Sequence, residues 1–262
     1  MSQTGEILSN VNLKGDYYSI EFYAPETAAS AQPGQFVHVK IGDDRGDWIL
    51  RRPFSICDTD PEKGIVNVVY KVVGKGTAAL AKTAPGVCCD VMGPLGNGFV
   101  PVPGTIPVAV CGGYGAAATF MLTRQKEKGV LLLGARSTAD IILTERYEAA
   151  GFDVRLATND GSAGTKGFVT DLIPQLLAEN PGKKYCFYAC GPHPMLMALA
   201  RQLRSLGEMG QLSIDHRMCC GVGSCFACVV KVNAPGTADG WRYARSCSEG
   251  PVFNLEDVYV EE

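Results

Sequence analysis

Residues 217–229 hold Cys219, Cys220, Cys225 and Cys228 in one glycine-containing run, and Cys247 is the only cysteine further downstream. Cys220, Cys225 and Cys228 have the spacing C-x4-C-x2-C, and Cys247 completes the four thiolates of a plant-type [2Fe–2S] cluster. Two bridged irons need four sulfurs and a loop tight enough to aim backbone N–H groups at them. Gly221 and Gly223 permit the positive φ values such a loop requires. Four thiolates also suit tetrahedral zinc, but zinc ribbons pair two short knuckles, and here one knuckle stands with a solitary fourth cysteine. The spacing favours iron. Cys219, next to a ligand, is expected to point away as a free thiol. Cys57, Cys88, Cys89, Cys111, Cys186 and Cys190 read mostly as small buried hydrophobes in strands.

A second group of residues suits phosphates and a heteroaromatic ring. Arg51, Arg52, Pro53, Phe54 and Ser55 are consecutive; a guanidinium fork matches a pyrophosphate, and a serine hydroxyl can donate to a ring atom. Gly74, Lys75, Gly76 and Thr77 lead into a short helix expected over 77–82, with Thr77 as its N-cap. Gly112, Gly113 and Gly115 follow an apolar strand and open a helix, where a dinucleotide pyrophosphate sits in a doubly wound sheet. No carboxylate ends the next strand, which closes on Gly134, Ala135, Arg136 and Ser137, so a ribose must be held differently. Arg136 could meet the 2′-phosphate of NADP. Asp160 and Gly161 follow the third strand, and Cys190, Gly191, Pro192 and Met195 the fourth, both at carboxyl ends where open α/β sheets bind ligands. His38, His193 and His216 show no triad or metal spacing, and no acid–base catalyst is assigned.

Three textures of chain must position these groups. Short strands rich in Val, Ile and aromatics, expected over 17–23, 36–41, 48–56, 65–73 and 87–92, alternate with turns such as 42–44 and 60–64, the pattern of a small antiparallel barrel. Residues 92–99 read as a tight loop crossing between domains. After the Pro101–Gly104 linker, strands near 108–111, 130–133, 152–157, 185–189 and 212–215 alternate with helices near 116–128, 144–150, 170–179 and 194–206. That alternation implies a parallel sheet with helices on both faces. The last fifty residues hold five of the eleven cysteines and little periodicity, and a metal centre would order them. The division expected is 1–103, 104–211 and 212–262.

Composition narrows the function classes. The chain has 262 residues, 46% hydrophobic and 19% charged, with a net charge of −3. It lacks the basic surplus of a nucleic-acid binder and the composition of a disordered chain. No apolar run reaches the ~18–20 residues of a membrane helix, and residues 1–10 lack the pattern of a secretory signal. A cytoplasmic protein is expected, in which eleven cysteines would not serve as disulfides.

The order Arg-Pro-Phe-Ser, Gly-Thr before a short helix, Gly-Gly-Tyr-Gly, Asp-Gly-Ser and Cys-Gly-Pro-x-x-Met resembles the ferredoxin reductase superfamily over essentially the whole chain. The cysteine run, with Cys247 and the Ser-Glu-Gly-Pro-Val-Phe that follows it, is similar to the electron-transfer subunits of dihydroorotate dehydrogenase B. The resemblance implies FAD on the barrel, NAD on the α/β domain and a [2Fe–2S] cluster at the carboxyl end. It further implies an FMN-containing catalytic partner subunit, in a heterotetramer of two subunits of each kind. On this resemblance Arg52, Pro53, Phe54, Ser55, Tyr70, Lys71, Val72, Gly76 and Thr77 would contact FAD, and Cys220, Cys225, Cys228 and Cys247 would hold the cluster. The resemblance also extends to flavin subunits of NADH-dependent ferredoxin:NADP oxidoreductase and sulfide dehydrogenase complexes, in which an aspartate replaces one cysteine. Ala116, Ala117 and Ala118 depart from the proline usual after the glycine-rich turn.

Overall fold

The computed structural model describes residues 2–41, 50–215 and 217–261. His216, Trp48 and the turn at 42–44 lie outside them. Six strands close into a barrel in the order β1-β2-β5-β4-β3-β6: β1 (Ser2–Lys14), β2 (Tyr17–Tyr23), β3 (Phe36–Lys40), β4 (Arg52–Asp60), β5 (Ile65–Lys71) and β6 (Cys88–Leu95). Alternation puts Ile20, Phe22, Val37, Val39, Val66, Val68 and Val91 inside, while every second residue faces outward. Helix α1 (Pro25–Ser30) and helix α2 (Lys75–Leu80) close the barrel's ends.

The barrel's first strand was not visible in the residue pattern. β1 buries only Gly5 and Ile7, and its pairing with β2 is irregular at Ile7/Ser9 and Asn12/Lys14, so the period-2 signal is broken. Thr77 is not the cap of α2. It stands three residues after the capping Gly74, and its hydroxyl accepts from the N–H groups of Val73 (3.0 Å) and Gly74 (3.2 Å).

The second layer is a seven-stranded sheet. β7 (Ile106–Gly112), β8 (Val130–Ala135), β9 (Asp153–Thr158), β10 (Thr165–Lys166), β11 (Tyr185–Cys190), β12 (Met209–Ser213) and β15 (Val252–Asn254) lie in the order β10-β9-β8-β7-β11-β12-β15. All neighbours are parallel except β15, which runs antiparallel to β12. Helices α3 (Gly115–Thr119), α4 (Thr144–Ala149), α5 (Leu172–Glu179) and α6 (His193–Leu206) pack around it. The helix expected over 116–128 is only α3, which tightens into a 3-10 turn over Phe120–Arg124. The Ala116 carbonyl accepts from Tyr147 Oη (2.8 Å) and Thr119 Oγ1 (3.3 Å), competing with the next helical bond. Between β12 and β15, β13 (Val229–Asn233) and β14 (Trp241–Arg245) form a separate hairpin.

Polar contacts join barrel to sheet. Asp58 of β4 takes Arg124 and Arg146, and Arg146 also reaches Asn67 of β5 (3.1 Å). Asp140, after β8, accepts from Tyr17 Oη (2.6 Å) and pairs with Lys71 (2.7 Å). Lys71 and Tyr17 hold the Asp140 carboxyl below its ordinary 3.8. A depressed folded value means that the latch stabilises above the ordinary carboxylate range and loosens as pH falls through it. The partners are half-exposed, so the contribution is modest. Asp140→Asn should lower the melting temperature by about 2–4 °C at neutral pH, and thermal scans should show that difference shrinking as pH falls through and below the ordinary carboxylate range.

Candidate functional site

The loop between β12 and β13 brings Cys220, Cys225 and Cys228 to Cys247, which follows β14. Cys228 and Cys247 are buried against Phe36, Leu95 and Met218, while Cys220 is half-buried and Cys225 exposed. Backbone amides point at the sulfurs, as Gly223 N–H donates to Cys247 Sγ (3.1 Å) and Val222 N–H to Cys220 Sγ (3.5 Å). Desolvation opposes the Cys220 thiolate, but the N–H groups of Val222, Cys225 and Ser224 outweigh it and bring the thiol down to about 6. Burial, reinforced by the neighbouring Cys228 thiol, instead pushes Cys247 up to about 11. Cys228 and Cys247 pack together on the inner side, and Cys220 neighbours Cys225 further out.

Among the described residues, no three His, Cys, Asp or Glu donors converge on one metal-ion position. A two-plus-two division suits two irons sharing bridging sulfides better than one tetrahedral ion. The donor set and its amide cradle fit a [2Fe–2S] cluster. Cys219 is a free, half-buried thiol near Cys225; burial raises it, whereas Cys220 is lowered.

The loop is held from both sides. Gly223 has φ +80°, and a Cβ there would come within 2.8 Å of Ser248 Oγ. Phe226 adopts φ +58°, a strained state for a bulky side chain and one that concentrates at functional sites. Arg245 lies 5.3 Å from the Phe226 ring, donates to the Gly223 carbonyl (3.2 Å) and pairs with Glu249 (3.0 Å). The Arg245 N–H, with Arg242 and Arg245 side chains, holds the Glu249 carboxyl down to about 2. None of these supports was signalled by sequence spacing.

The floor of the loop is the barrel itself. β3 and β4 place Phe36 opposite Ser55 and His38 opposite Pro53, and directly opposed residues of an antiparallel pair share a face. The thiols resting on Phe36 thus lie over the same barrel wall as Pro53 and Ser55. His38 is fully buried, and neither ring nitrogen has a hydrogen-bond partner among the described residues. Burial, then the charge of Arg51, lowers it to about 4; the Cys220 backbone pulls the other way without reaching hydrogen-bond geometry.

Along that wall the two arginines separate. Arg51 is tied to Asp90 of β6, whereas Arg52 lies beside Gly76, where a Cβ would stand 3.2 Å from its Nε and Nη2. Gly76 is therefore a cradle that a side chain would fill, with Thr77 bracing the turn. Phe54 packs on Tyr70 at 5.6 Å, and Tyr70 is buried with its hydroxyl on Asn10 (3.0 Å), so Tyr70 can meet a ligand through backbone only. Lys71 follows on β5 and Val72 lies just beyond it. By strand alternation Arg52 and Phe54 lie on the side of Val39 and Val37, with Gly76 beside the Arg52 guanidinium, while Pro53 and Ser55 face outward with His38 and Phe36; a guanidinium beside a bare glycine backbone fits the phosphates of a flavin dinucleotide.

The strand order reverses between β7 and β11, the position beyond whose carboxyl ends open α/β sheets bind ligands. Gly112 meets Pro192 and Met195, Gly191 meets Gly112 and Met195, and Gly115 abuts the Cys190 carbonyl. Gly113 has φ +53° and opens toward Tyr17 Oη. Asp160 and Gly161 stand apart, two strands away, with Asp160 N–H on the exposed Arg136 carbonyl (3.3 Å) and its carboxylate on Ser162 N–H (2.9 Å). His193 is exposed at the start of α6. A cavity of ≈ 470 Å³ between Gln35, Asn97, Gln211 and Asn254 belongs to none of these sites.

Comparison with known proteins extends this geometry. Residues 215–259 match the family described as the iron-sulfur cluster binding domain of dihydroorotate dehydrogenase B. The chain is 38% identical over 259 residues to the dihydroorotate dehydrogenase B (NAD(+)) electron transfer subunit of Fusobacterium nucleatum, covering 96% of both chains. The subunit of the same name from Bacillus caldolyticus is 43% identical over 236 residues, 87% of each chain. Among solved structures, one of an NADH-dependent reduced ferredoxin-NADP oxidoreductase, concerned with flavin-based electron bifurcation, superposes with a TM-score of 0.82. That match has 30% identity and covers 97% of this chain and 89% of the other.

Proposed function

This chain belongs to the family of dihydroorotate dehydrogenase B (NAD(+)) electron transfer subunits, and from that premise we propose that it carries electrons from an FMN-containing catalytic subunit to NAD⁺. The route uses a [2Fe–2S] cluster on Cys220, Cys225, Cys228 and Cys247 and FAD on the β4–β5–α2 edge, in the service of pyrimidine (UMP) synthesis. When bound, the cluster supplies a one-electron path and the flavin the exchange between single electrons and hydride. The observation that carries the reading is the shared barrel wall, with Phe36 beneath the buried thiols directly opposite Ser55 on the flavin strand.

The chain's own residues orient and exclude water. Arg52 offers a fixed charge to phosphate, while Phe36, Leu95 and Met218 keep solvent from the inner thiols. At the ends of β7 and β11, glycines let Pro192, Met195 and the Cys190 carbonyl approach the turn that would meet a nucleotide. Val222 and Phe226, 51% and 61% exposed beside the thiols, leave an apolar rim for the catalytic subunit. The complex is a heterotetramer of two subunits of each kind, in the cytoplasm; no described helix is long and apolar enough to cross a membrane.

Co-expression with an FMN-binding dihydroorotate dehydrogenase subunit tests this. The purified complex should contain two of each chain and reduce NAD⁺ when given dihydroorotate. A complex that oxidises dihydroorotate but never yields NADH would contradict it. Arg52→Ala should weaken FAD by roughly 10–100-fold, the loss of a charged hydrogen bond, measured as flavin retained on dilution. Arg51→Ala, which breaks only the Asp90 pair, should retain FAD within about threefold.

A further inference from the structure

Among the described residues, His38 is the one side chain of the barrel wall that faces the cysteine loop with its polar atoms unanswered. It is fully buried, and a Cβ built on Gly221 would lie 2.5 Å from Nδ1, so the ring edge carrying Nδ1 lies against the residue after Cys220. No described residue accepts from or donates to either nitrogen. A buried imidazole left without partners costs about 1–3 kcal/mol, and native interiors rarely leave such groups alone. Its neighbours along β3 and β4 are committed to packing: Phe36 lies edge-on to it at 6.3 Å, and Pro53 stands opposite. Gly221 with its φ of +72° brings the loop backbone close enough for contact.

We propose that His38 is a positioning residue for the iron–sulfur cluster, giving an Nδ1–H hydrogen bond to a cluster sulfur across the Cys220–Gly221 turn. The inference rests on the assignment of the four thiols as cluster ligands. In any protonation state the ring can present an N–H on that side, so the role depends on placement. Hydrogen bonds to cluster sulfurs favour the more negative reduced state and so set the reduction potential. A residue on β3 would thereby tune the cluster from the same wall that carries the flavin strand.

The test compares His38→Leu, which has no donor, with His38→Asn, whose amide N–H can take the place of Nδ1–H. Iron, acid-labile sulfide and FAD are counted first on the intact complex, followed by spectroelectrochemical titration and electron paramagnetic resonance of the reduced protein. In His38→Leu the midpoint should move to more negative potential, the resonance should change shape, and iron should pass to a chelator roughly tenfold faster. His38→Asn should restore most of all three. If His38→Leu keeps wild-type potential, spectrum and iron retention, the proposal is overturned. It is equally overturned if His38→Asn fails as His38→Leu does, because the position then needs only an imidazole's shape. Wild-type protein without iron or sulfide would overturn the ligand assignment itself and, with it, this role.

Discussion

Cys247→Ala should lose the cluster's iron and acid-labile sulfide and reduce dihydroorotate-dependent NADH formation to background, while NADH still bleaches the flavin. Cys247 is the one proposed ligand outside the loop, and it packs with Cys228 on Phe36. Its sulfur also anchors the Gly223 N–H at 3.1 Å. Removing it leaves one iron with a single protein thiolate and frees the loop from the segment after β14. The flavin strand and the carboxyl ends of β7 and β11 use no atom of this residue, so the NADH half-reaction should survive. Iron analysis, flavin bleaching and coupled turnover on one preparation separate these effects. Full iron content in Cys247→Ala would show that another side chain completes the set.

Gly115→Ala is the second large expected effect, at the opposite end of the electron path. A Cβ there would lie 2.1 Å from the Cys190 carbonyl oxygen and 2.7 Å from its carbon. Both atoms belong to the backbone of β11, the central neighbour of β7, and cannot swing aside as a side chain can. Overpacking of this kind costs about 1–3 kcal/mol. The turn carrying Gly112 and Gly113 must also move away from Pro192 and Met195, and a misplacement of about 1 Å in a binding site can cost on the order of 100-fold. We expect NADH affinity, read from flavin bleaching, to fall by about that factor, with FAD content unchanged. Gly113→Ala provides the contrast, since only Tyr17 Oη lies within 4 Å, at 3.8 Å, and the penalty is that of a φ of +53°. It should cost about 1 kcal/mol in stability and less in binding.

What could be read from residue order was the chemistry that depends on local spacing. The C-x4-C-x2-C run plus Cys247, the glycines opening α3, and the strand–helix alternation each carry their meaning within a few residues. The closed barrel and the parallel sheet followed from the same short-range patterns. The features that were not legible depend on contacts between distant segments. His38 lies in a strand whose alternation puts it outside the barrel core, and Gly221, some 180 residues later, is what comes against its ring. Likewise, α3 is cut short by Tyr147, a residue of α4 whose hydroxyl takes the Ala116 carbonyl. β1 was missed because a strand that is bulged and mostly exposed has no alternation to show. The Arg245–Glu249 support of the loop likewise becomes apparent only when the chain after β14 is seen beside Gly223.

Pyridine nucleotide and cluster should exchange electrons only by way of the flavin. Anaerobic mixing of NADH with intact protein, and with protein stripped of FAD but retaining its iron, tests this most directly. Cluster reduction, followed by its visible absorption and its resonance signal, should occur in the intact protein, be absent from the stripped protein, and return when FAD is added back. Reduction of the cluster by NADH at a comparable rate without FAD would contradict the account.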